Sequence, residues 1–288
     1  MDKGTLFIIA DAGVHTGFAQ VTHNLVYHLE SQWNIHILGI NYHGDPHPIQ
    51  KYARVYNPSA KLAHDLYGFE RVIELIKKIK PDKILIINDP WIAIEYAARL
   101  KQYAPEYLEK TYLYTPIDAE NIKPGIVQQL NVLAHVIGYT QFGITQLQQA
   151  GLQVPTSIIP HGVNTDVFKP MSKEKARAQN RFSQDWFIVN VTDRNQIRKR
   201  IDLAFHYFAQ WVQSTKKGDH VKLHYHGALM DEGWDILELA ESLHIGDRLI
   251  ITSPNITASE GLPDELMPYI YAVADVGLST TMGKTLPL

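Results

Sequence analysis

Short apolar runs rich in β-branched residues recur along this sequence, and each is followed by a turn and then by an amphipathic stretch with helical spacing. Thr5–Ala10 (TLFIIA) is predicted as a strand, Ala10–Gly17 as a loop and Phe18–Gln32 as a helix with one apolar face. Repeated strand–helix units of this kind form parallel sheets that are covered by helices on both faces. The sequence therefore predicts an α/β fold.

The same pattern predicts further elements up to Pro160 and again after Arg181. In the first part, strands are expected at Ile35–Ile40, Lys83–Asn88, Thr111–Pro116, Val136–Tyr139 and Ser157–Pro160, with helices at Phe69–Lys80, Ile92–Tyr103 and Phe142–Gln149. In the second part, strands are expected at Phe187–Thr192, Lys222–His226, Arg248–Thr252 and Val276–Thr280, with helices at Ile201–Ser214, Trp234–His244 and Asp264–Ala272.

Between the two parts, proline, glycine and charged residues replace the apolar period over Pro160–Arg181. We interpret residues 161–181 as a linker between a first domain, residues 1–160, and a second domain, residues 182–288. The chain ends soon after the last predicted strand, so the second domain is expected to be incomplete. Open parallel sheets bind ligands beyond the carboxyl ends of their strands, and a site is therefore expected in a cleft between the domains.

The composition limits the classes of function. The 288 residues carry 27 basic and 30 acidic side chains, a formal net charge of −3, so no general attraction to nucleic acid or anionic lipid is expected. The absence of cysteine excludes disulfides, cysteine metal ligands and a cysteine nucleophile. No apolar stretch approaches the length of a transmembrane helix. We expect a soluble, cytoplasmic protein without a nucleic-acid patch.

A glycine loop, Ala12–Gly17 (AGVHTG), separates the first predicted strand from the first helix. Gly13 and Gly17 would let the backbone approach a ligand, the helix N-terminus would offer free N–H groups, and His15 could donate a hydrogen bond to a phosphate or hydroxyl. The loop lacks the spacing of a dinucleotide fingerprint or a Walker loop. A plain connecting turn explains the same residues.

A basic turn, Asp193–Arg200 (DRNQIRKR), follows the strand predicted at Phe187–Thr192. Guanidinium groups can grip phosphate oxygens in a bidentate way and a lysine adds a mobile point charge, so the turn suits a diphosphate. The alternative is a solvated basic turn whose charges are balanced by Asp193 and Asp202.

Several histidines are candidates for other roles. His161 and Gly162 lie in the predicted linker, where they could face the cleft or form a hinge. His224 and His226 alternate along a predicted strand and share a face, but no third ligand with suitable spacing accompanies them, so no metal site is predicted. No G-x-S-x-G sequence is present to organise a hydrolase triad.

Three segments in order, IPHGVNTDVF, FIVNVTDRNQIRKRIDL and DELMPYIYAVADVGLSTTMG, resemble the retaining family 4 glycosyltransferases. Pro160–Phe168 is similar to the family turn P-[NH]-G-V-[DN]-x-x-x-F, and Leu266–Val276 to the segment L-x-x-x-Y-x-x-A-D-V. Arg194 and Lys199 stand at the places of an arginine and a lysine five residues apart. Gly13–Gln20 is similar to the family's glycine loop.

This resemblance implies two Rossmann-like domains that face each other across a cleft, the GT-B arrangement. It implies transfer of a hexosyl-type sugar from a nucleoside-diphosphate donor to a hydroxyl acceptor, with retention of configuration at the anomeric carbon. Arg194 and Lys199 would bind the donor diphosphate and stabilise it as it leaves, so that neither a metal nor another cofactor is required.

Two departures from the family pattern leave an alternative open. Many members have a His-Asp pair after the strand that matches Thr111–Pro116, whereas this chain has Ile117 and Asp118, which makes Asp118 the catalytic candidate. The family's glutamate loop corresponds to Gly283–Leu288 (GKTLPL), with Lys284 in place of the first glutamate. The alternative is a nucleotide-sugar-binding fragment or module with impaired catalysis. An NAD-dependent epimerase or oxidoreductase would need a glycine fingerprint that is absent.

Overall fold

A computed structural model of the chain describes residues 3–14, 16–59, 65–215, 218–257 and 261–282. The described residues up to His161 form one compact unit, and those from Gly162 onward form another. We refer to them as the N-terminal unit and the C-terminal unit. Each has its own parallel sheet and its own apolar cores, and each is described by itself.

The N-terminal unit contains a seven-stranded sheet in which every strand pair is parallel. In chain order the strands are β1 Gly4–Asp11, β2 Trp33–Ile40, β3 Arg54–Tyr56, β4 Lys83–Ile87, β5 Thr111–Thr115, β6 His135–Gly138 and β7 Thr156–Ile158. Their order across the sheet is β3-β2-β1-β4-β5-β6-β7. The helices are α1 Gly17–Leu29, α2 Val72–Ile79, α3 Pro90–Tyr103, α4 Pro124–Leu130 and α5 Gln141–Gln149.

Strand β1 shows why this sheet is buried on both faces. Phe7 and Ile9 belong to one core, which also contains residues of α2, α3, α4 and α5. The alternate residues Leu6 and Ile8 belong to a second core, into which α1 packs Val26. Because successive side chains of a strand point to opposite faces, an unbroken apolar run fits only a strand covered on both sides.

The C-terminal unit contains a four-stranded parallel sheet in the order β10-β9-β8-β11. Its strands are β8 Phe187–Val191, β9 Val221–Tyr225, β10 Leu249–Ile251 and β11 Val276–Gly277. Its helices are α6 Lys173–Asn180, α7 Ile201–Ser214, α8 Ile236–Ser242 and α9 Met267–Ala272. Val189 and Val191 of β8 pack with α7 and α8, whereas Ile188 packs with α6 on the other face.

The predicted α/β fold with parallel sheets is confirmed, and the sequence misses only short or polar elements. Strand β3, with three residues, and helix α4, with seven, were not predicted. The predicted linker contains α6, a highly polar helix that is nevertheless part of the C-terminal unit, because it buries Ala176 and Arg177. The predicted helix at Asp264–Ala272 begins as a 3₁₀ turn and becomes α-helical only from Met267.

In the part of the chain that the structure describes, no helix is both long and apolar enough to cross a membrane.

Candidate functional site

The carboxyl ends of β8 and β11 form the topological switch point of the C-terminal sheet. From β8 the chain continues to β9 and β10 on one side, whereas β11 pairs with β8 on the other side. Connections that leave neighbouring strands in opposite directions open a crevice at the strand ends, and ligands of open α/β sheets bind there. The basic turn Asp193–Arg200 begins two residues after β8 ends at Val191.

A buried carboxylate organises one side of this switch point. Asp193 is only 6% exposed, and its Oδ1 lies 2.9 Å from the Nζ of Lys199. Its Oδ2 accepts hydrogen bonds from the hydroxyls of Ser279, at 2.6 Å, and Thr281, at 3.2 Å. Asp193 therefore binds both Lys199 and the segment after β11 through one carboxylate. The Lys199 side chain is 15% exposed, so its ammonium is largely buried.

Further bonds fasten the segment after β11 onto the basic turn. The Thr280 hydroxyl donates to the carbonyl of Arg200 at 2.6 Å, and the amide of Met282 donates to the carbonyl of Arg198 at 3.0 Å. The turn itself contains a 3₁₀ segment, Ile197–Lys199, and ends at Arg200 with a left-handed backbone. The two strand ends at the switch point are thus joined through backbone and side chains.

Arg194 is held by carboxylates from the loop after β9. Its Nε lies 2.7 Å from Oδ2 of Asp231, its NH2 group lies 3.3 Å from Oδ1, and NH2 is 3.4 Å from Glu232. The Asp231 side chain is 6% exposed while that of Arg194 is 45% exposed. The bond from Arg194 lowers the pKa of Asp231 and raises that of Arg194, because each charge stabilises the other.

Asn195, next to Arg194, joins the turn after β8 to the loop that carries Asp231. Its side chain is fully buried; Nδ2 donates to the carbonyl of Trp234 at 2.6 Å, and Oδ1 accepts from the Trp234 amide at 3.0 Å. Its backbone carbonyl accepts from the amide of Gly233 at 3.0 Å. A Cβ at Gly233 would lie 2.2 Å from the Asn195 Oδ1, so this close approach requires glycine.

The alternative interpretation of the basic turn, charges balanced by nearby aspartates, describes part of what is observed. Lys199 pairs with Asp193, and Arg200 forms a two-point pair with Asp202 at 3.0 and 2.9 Å. Arg194 differs, because its carboxylate partners are 37 and 38 residues away and its side chain remains nearly half exposed.

The glycine loop lies at the corresponding switch point of the N-terminal sheet, between β1 and β4. The hydroxyl of Thr16 donates to Oδ2 of buried Asp11 at 2.6 Å and accepts from the Ala19 amide at 3.1 Å, so it caps α1. Burial raises the pKa of Asp11, although hydrogen bonds from Thr16 and Asn41 oppose the rise.

The two glycines of this loop have different surroundings. A Cβ at Gly13 would lie 2.2 Å from the ring of Tyr42, whereas Gly17 faces open space. His15 lies outside the described residues. The loop therefore needs glycine at its first position for close packing, and the ligand contact expected of it stays a prediction.

The remaining candidates occupy separate places. Asp118 is exposed on the segment after β5, in a different unit from Arg194 and Lys199. The His161 ring packs against Tyr139, with ring centres 4.0 Å apart, and burial lowers its pKa. Gly162 is exposed, with open space around it. His161 thus anchors the end of the N-terminal unit, and a hinge at this point stays a prediction.

His224 and His226 do share a face, as their alternation predicts, and both contact the hydroxyl of Thr252, at 2.9 and 3.2 Å. Burial, and then the charge of His226, lowers the pKa of His224 to about 4, so this ring is neutral at pH 7. Among the described residues, no group of three histidine, aspartate or glutamate side chains is placed to hold a metal ion.

No protein-family model matches the sequence, and no curated protein matches it. Solved structures do match. A sucrose-phosphate synthase from Thermosynechococcus elongatus has a TM-score of 0.74 at 16% identity, over 100% of this chain and 77% of that chain. Anabaena Alr3699/HepE in complex with UDP-glucose has a TM-score of 0.68 at 15% identity, over 98% and 75%. The trehalose-6-phosphate synthase OtsA has a TM-score of 0.66 at 12% identity, over 99% and 80%.

The chain shares the α/β fold of these three solved structures. The α/β fold that the resemblance implies is thereby confirmed, whereas membership of family 4 and retention of configuration stay predictions. Identities of this size show the architecture only, because one fold supports many different reactions.

Sequence reasoning found the two cations at the switch point and named Asp193, the partner of Lys199, as a balancing charge, but it missed the residues that hold Arg194. The sequence around each of these residues does not identify its partner, because the partners of Asp231, Glu232 and Asn195 lie more than thirty residues away. The only available hint was the sequence Asp-Glu-Gly after the strand at Val221–Tyr225, an acidic pair and a glycine in a strand-end loop.

Proposed function

We propose that this protein transfers a hexose from a nucleoside-diphosphate sugar to a hydroxyl acceptor with retention of anomeric configuration. The observation that carries the proposal is the position of Arg194 and Lys199 at the switch point between β8 and β11. This is the part of an open α/β sheet where ligands bind. Both cations come from one turn, five residues apart, as in the family that the sequence resembles.

In this proposal the donor diphosphate is the group that the C-terminal unit recognises. The half-exposed guanidinium of Arg194 provides planar N–H pairs for phosphate oxygens, and the ammonium of Lys199, which is paired with Asp193, adds a second positive charge from the same turn. As the bond between the anomeric carbon and the diphosphate oxygen breaks, negative charge accumulates on the leaving group. Fixed positive groups that already face it lower that barrier.

The base of the donor is proposed to be uracil. Three of the matched structures are of Anabaena Alr3699/HepE, with UDP, with UDP and glucose, and with UDP-glucose, and a fourth, from E. coli, was solved with UDP-2-fluoro glucose. UDP is accordingly the first probe. The acceptor enters the proposal only as a hydroxyl compound, and Asp118 remains the proposed carboxylate on the acceptor side.

Calorimetry with UDP tests the site. Arg194→Ala and Lys199→Ala should each weaken binding by about 1.5–3 kcal/mol, the usual contribution of hydrogen bonds to charged groups. Arg99→Ala removes a cation from an exposed pair with Glu95 in the other unit, and its affinity should equal that of the unchanged protein. Unchanged affinity in the Arg194→Ala/Lys199→Ala double variant would remove the basis of the proposal.

A binding module without turnover is the second candidate, and one observation favours it. Lys284 stands where the resembled family has a glutamate, and this position lies outside the described residues. Incubation with radiolabelled UDP-glucose and a panel of hydroxyl acceptors separates the two candidates. UDP binding together with sugar transfer supports the enzyme, whereas tight UDP binding without any labelled product supports the module.

A further inference from the structure

The guanidinium of Arg194 forms hydrogen bonds with carboxylates through one edge only, the edge that contains Nε and NH2. Nε and NH2 face the two carboxylate oxygens of Asp231, at 2.7 and 3.3 Å, in the parallel arrangement that is typical of arginine–carboxylate pairs. The NH1 group has no bond to any residue that the structure describes. Since a guanidinium carries five N–H donors in a fixed plane, this grip leaves the donors of NH1 available to a ligand.

The burial of the two partners is unequal, and this inequality separates their roles. The Asp231 side chain is 6% exposed, whereas the Arg194 side chain is 45% exposed. A buried carboxylate needs a charged partner, because leaving it unpaired in a site of low polarity is costly. An arginine exposed to this degree has no such requirement. Asp231 is therefore a fixed anchor for the guanidinium, whereas Arg194 keeps an exposed part that a ligand can reach.

The two residues are attached to a rigid frame. Asn195 follows Arg194 directly and bonds to the carbonyl of Trp234, while the Gly233 amide bonds to the Asn195 carbonyl. These contacts hold the residue that follows Arg194 against Gly233 and Trp234, which lie two and three positions after Asp231. The orientation of the guanidinium is therefore set before any ligand arrives.

We propose that Asp231 is a positioning residue for the diphosphate: it holds the Nε edge of Arg194 so that NH1 meets the phosphate oxygens. This inference rests on the proposed function, since it assumes that Arg194 contacts the donor diphosphate. Fixing a long side chain in advance removes part of the entropy that binding would otherwise cost. If Asp231 instead competed with the phosphate for Arg194, removing Asp231 would increase the affinity for UDP rather than lower it.

Affinities for UDP and uridine test this role. Asp231→Ala should weaken UDP binding about three- to ten-fold, the cost of ordering one long side chain on binding. Uridine, which has no phosphate, should bind as before, which shows that the rest of the site is intact. Asp231→Asn keeps one acceptor oxygen for the guanidinium and should fall between Asp231→Ala and the unchanged protein. Asp202→Asn, the matched change in the Arg200–Asp202 pair, should leave both affinities unchanged.

A double-variant cycle shows whether Asp231 acts through Arg194. In the Arg194→Ala background, Asp231→Ala should cause no further loss of UDP affinity. Unchanged or tighter UDP binding by Asp231→Ala alone overturns the positioning role, as does an equal loss of uridine affinity. If Arg194→Ala weakens UDP binding and Asp231→Ala does not, this inference fails while the proposed function stands. If Arg194→Ala alone binds UDP normally, the positioning role of Asp231 fails, and if the Arg194→Ala/Lys199→Ala double variant also binds UDP normally, the proposed function fails with it.

Discussion

At the scale of single residues, a buried arginine attaches helix α6 to the C-terminal sheet. The Arg177 side chain is 4% exposed, and its NH2 group lies 2.7 Å from Oδ2 of Asp275. Its Nε and NH1 donate to the carbonyls of Val273 and Gln184. Asp275 also accepts from the Ile188 amide at 2.8 Å, so a single carboxylate joins α6, β8 and the residue before β11. This pair makes a polar helix part of a packed unit.

Asp275→Asn should lower the free energy of unfolding by about 2–3 kcal/mol at pH 7, because it leaves the Arg177 charge buried without its carboxylate. Burial alone would raise the pKa of Asp275, but the bonds from Lys173 and the Ile188 amide and the charge of Arg177 together lower it. Because the pKa of Asp275 is lower in the folded than in the unfolded chain, its ionised carboxylate stabilises the folded state at pH values above the unfolded pKa of about 3.9. This stabilisation is lost as the pH falls through the pKa of the folded state.

Urea unfolding between pH 2 and pH 7 measures this difference. The gap between the unchanged protein and Asp275→Asn should be full at neutral pH and should shrink below about pH 4. The exposed Asp185→Asn serves as the control and should follow the unchanged protein throughout. A gap that stays constant down to pH 2 would show that the carboxylate charge is not what stabilises the unit.

At the scale of elements, the start of α1 determines the shape of the glycine loop. Thr16 has an extended backbone, and its hydroxyl accepts from the Ala19 amide while donating to Asp11 at the end of β1. The sequence predicted the strand, the loop and the helix here, because their periods differ clearly. It could not assign the cap, since the bond to Asp11 depends on how the turn closes in three dimensions.

Thr16→Ala should destabilise the N-terminal unit by about 1–2 kcal/mol, through the loss of a helix cap and of a hydrogen bond to a buried carboxylate. Thr16→Ser keeps the hydroxyl and should recover most of the loss. Hydrogen exchange of the first-turn amides of α1 is the measurement. Equal exchange in the alanine and serine variants would mean that the hydroxyl contributes nothing to the helix start.

At the scale of the whole molecule, each unit closes its own cores. Strand β1 divides its side chains between two cores of the N-terminal unit, and β8 does the same in the C-terminal unit. The pattern of strands and helices predicted this architecture, because apolar period is a local property. The carboxylates that hold Arg194 are instead a consequence of strand order, and strand order cannot be deduced from the period of a single chain.

Since the proposed diphosphate contacts come from the C-terminal unit, UDP should protect that unit preferentially. At about 100 times the dissociation constant, a ligand stabilises the folded state that binds it by about 2.7 kcal/mol. Hydrogen exchange followed by mass spectrometry should show slower exchange around the turn after β8 and little change in β1, β2 and β3. Arg194→Ala/Lys199→Ala should abolish the effect. Protection centred on the N-terminal unit would contradict the assignment.

The hydrogen bonds of Asn195 also determine which parts of this site can be replaced separately. Its side chain and its carbonyl both bind the loop after β9, so the two loops behave as one part although α7 and β9 separate them in the sequence. If the basic turn alone were transferred to another protein, the buried side-chain amide of Asn195 would lose its hydrogen-bond partners on Trp234, which is costly. Because a Cβ at position 233 would collide with the Asn195 side chain, we expect Asn195 and Gly233 to be replaced together or to be kept together. The two loops therefore form the smallest unit of this site that can change independently.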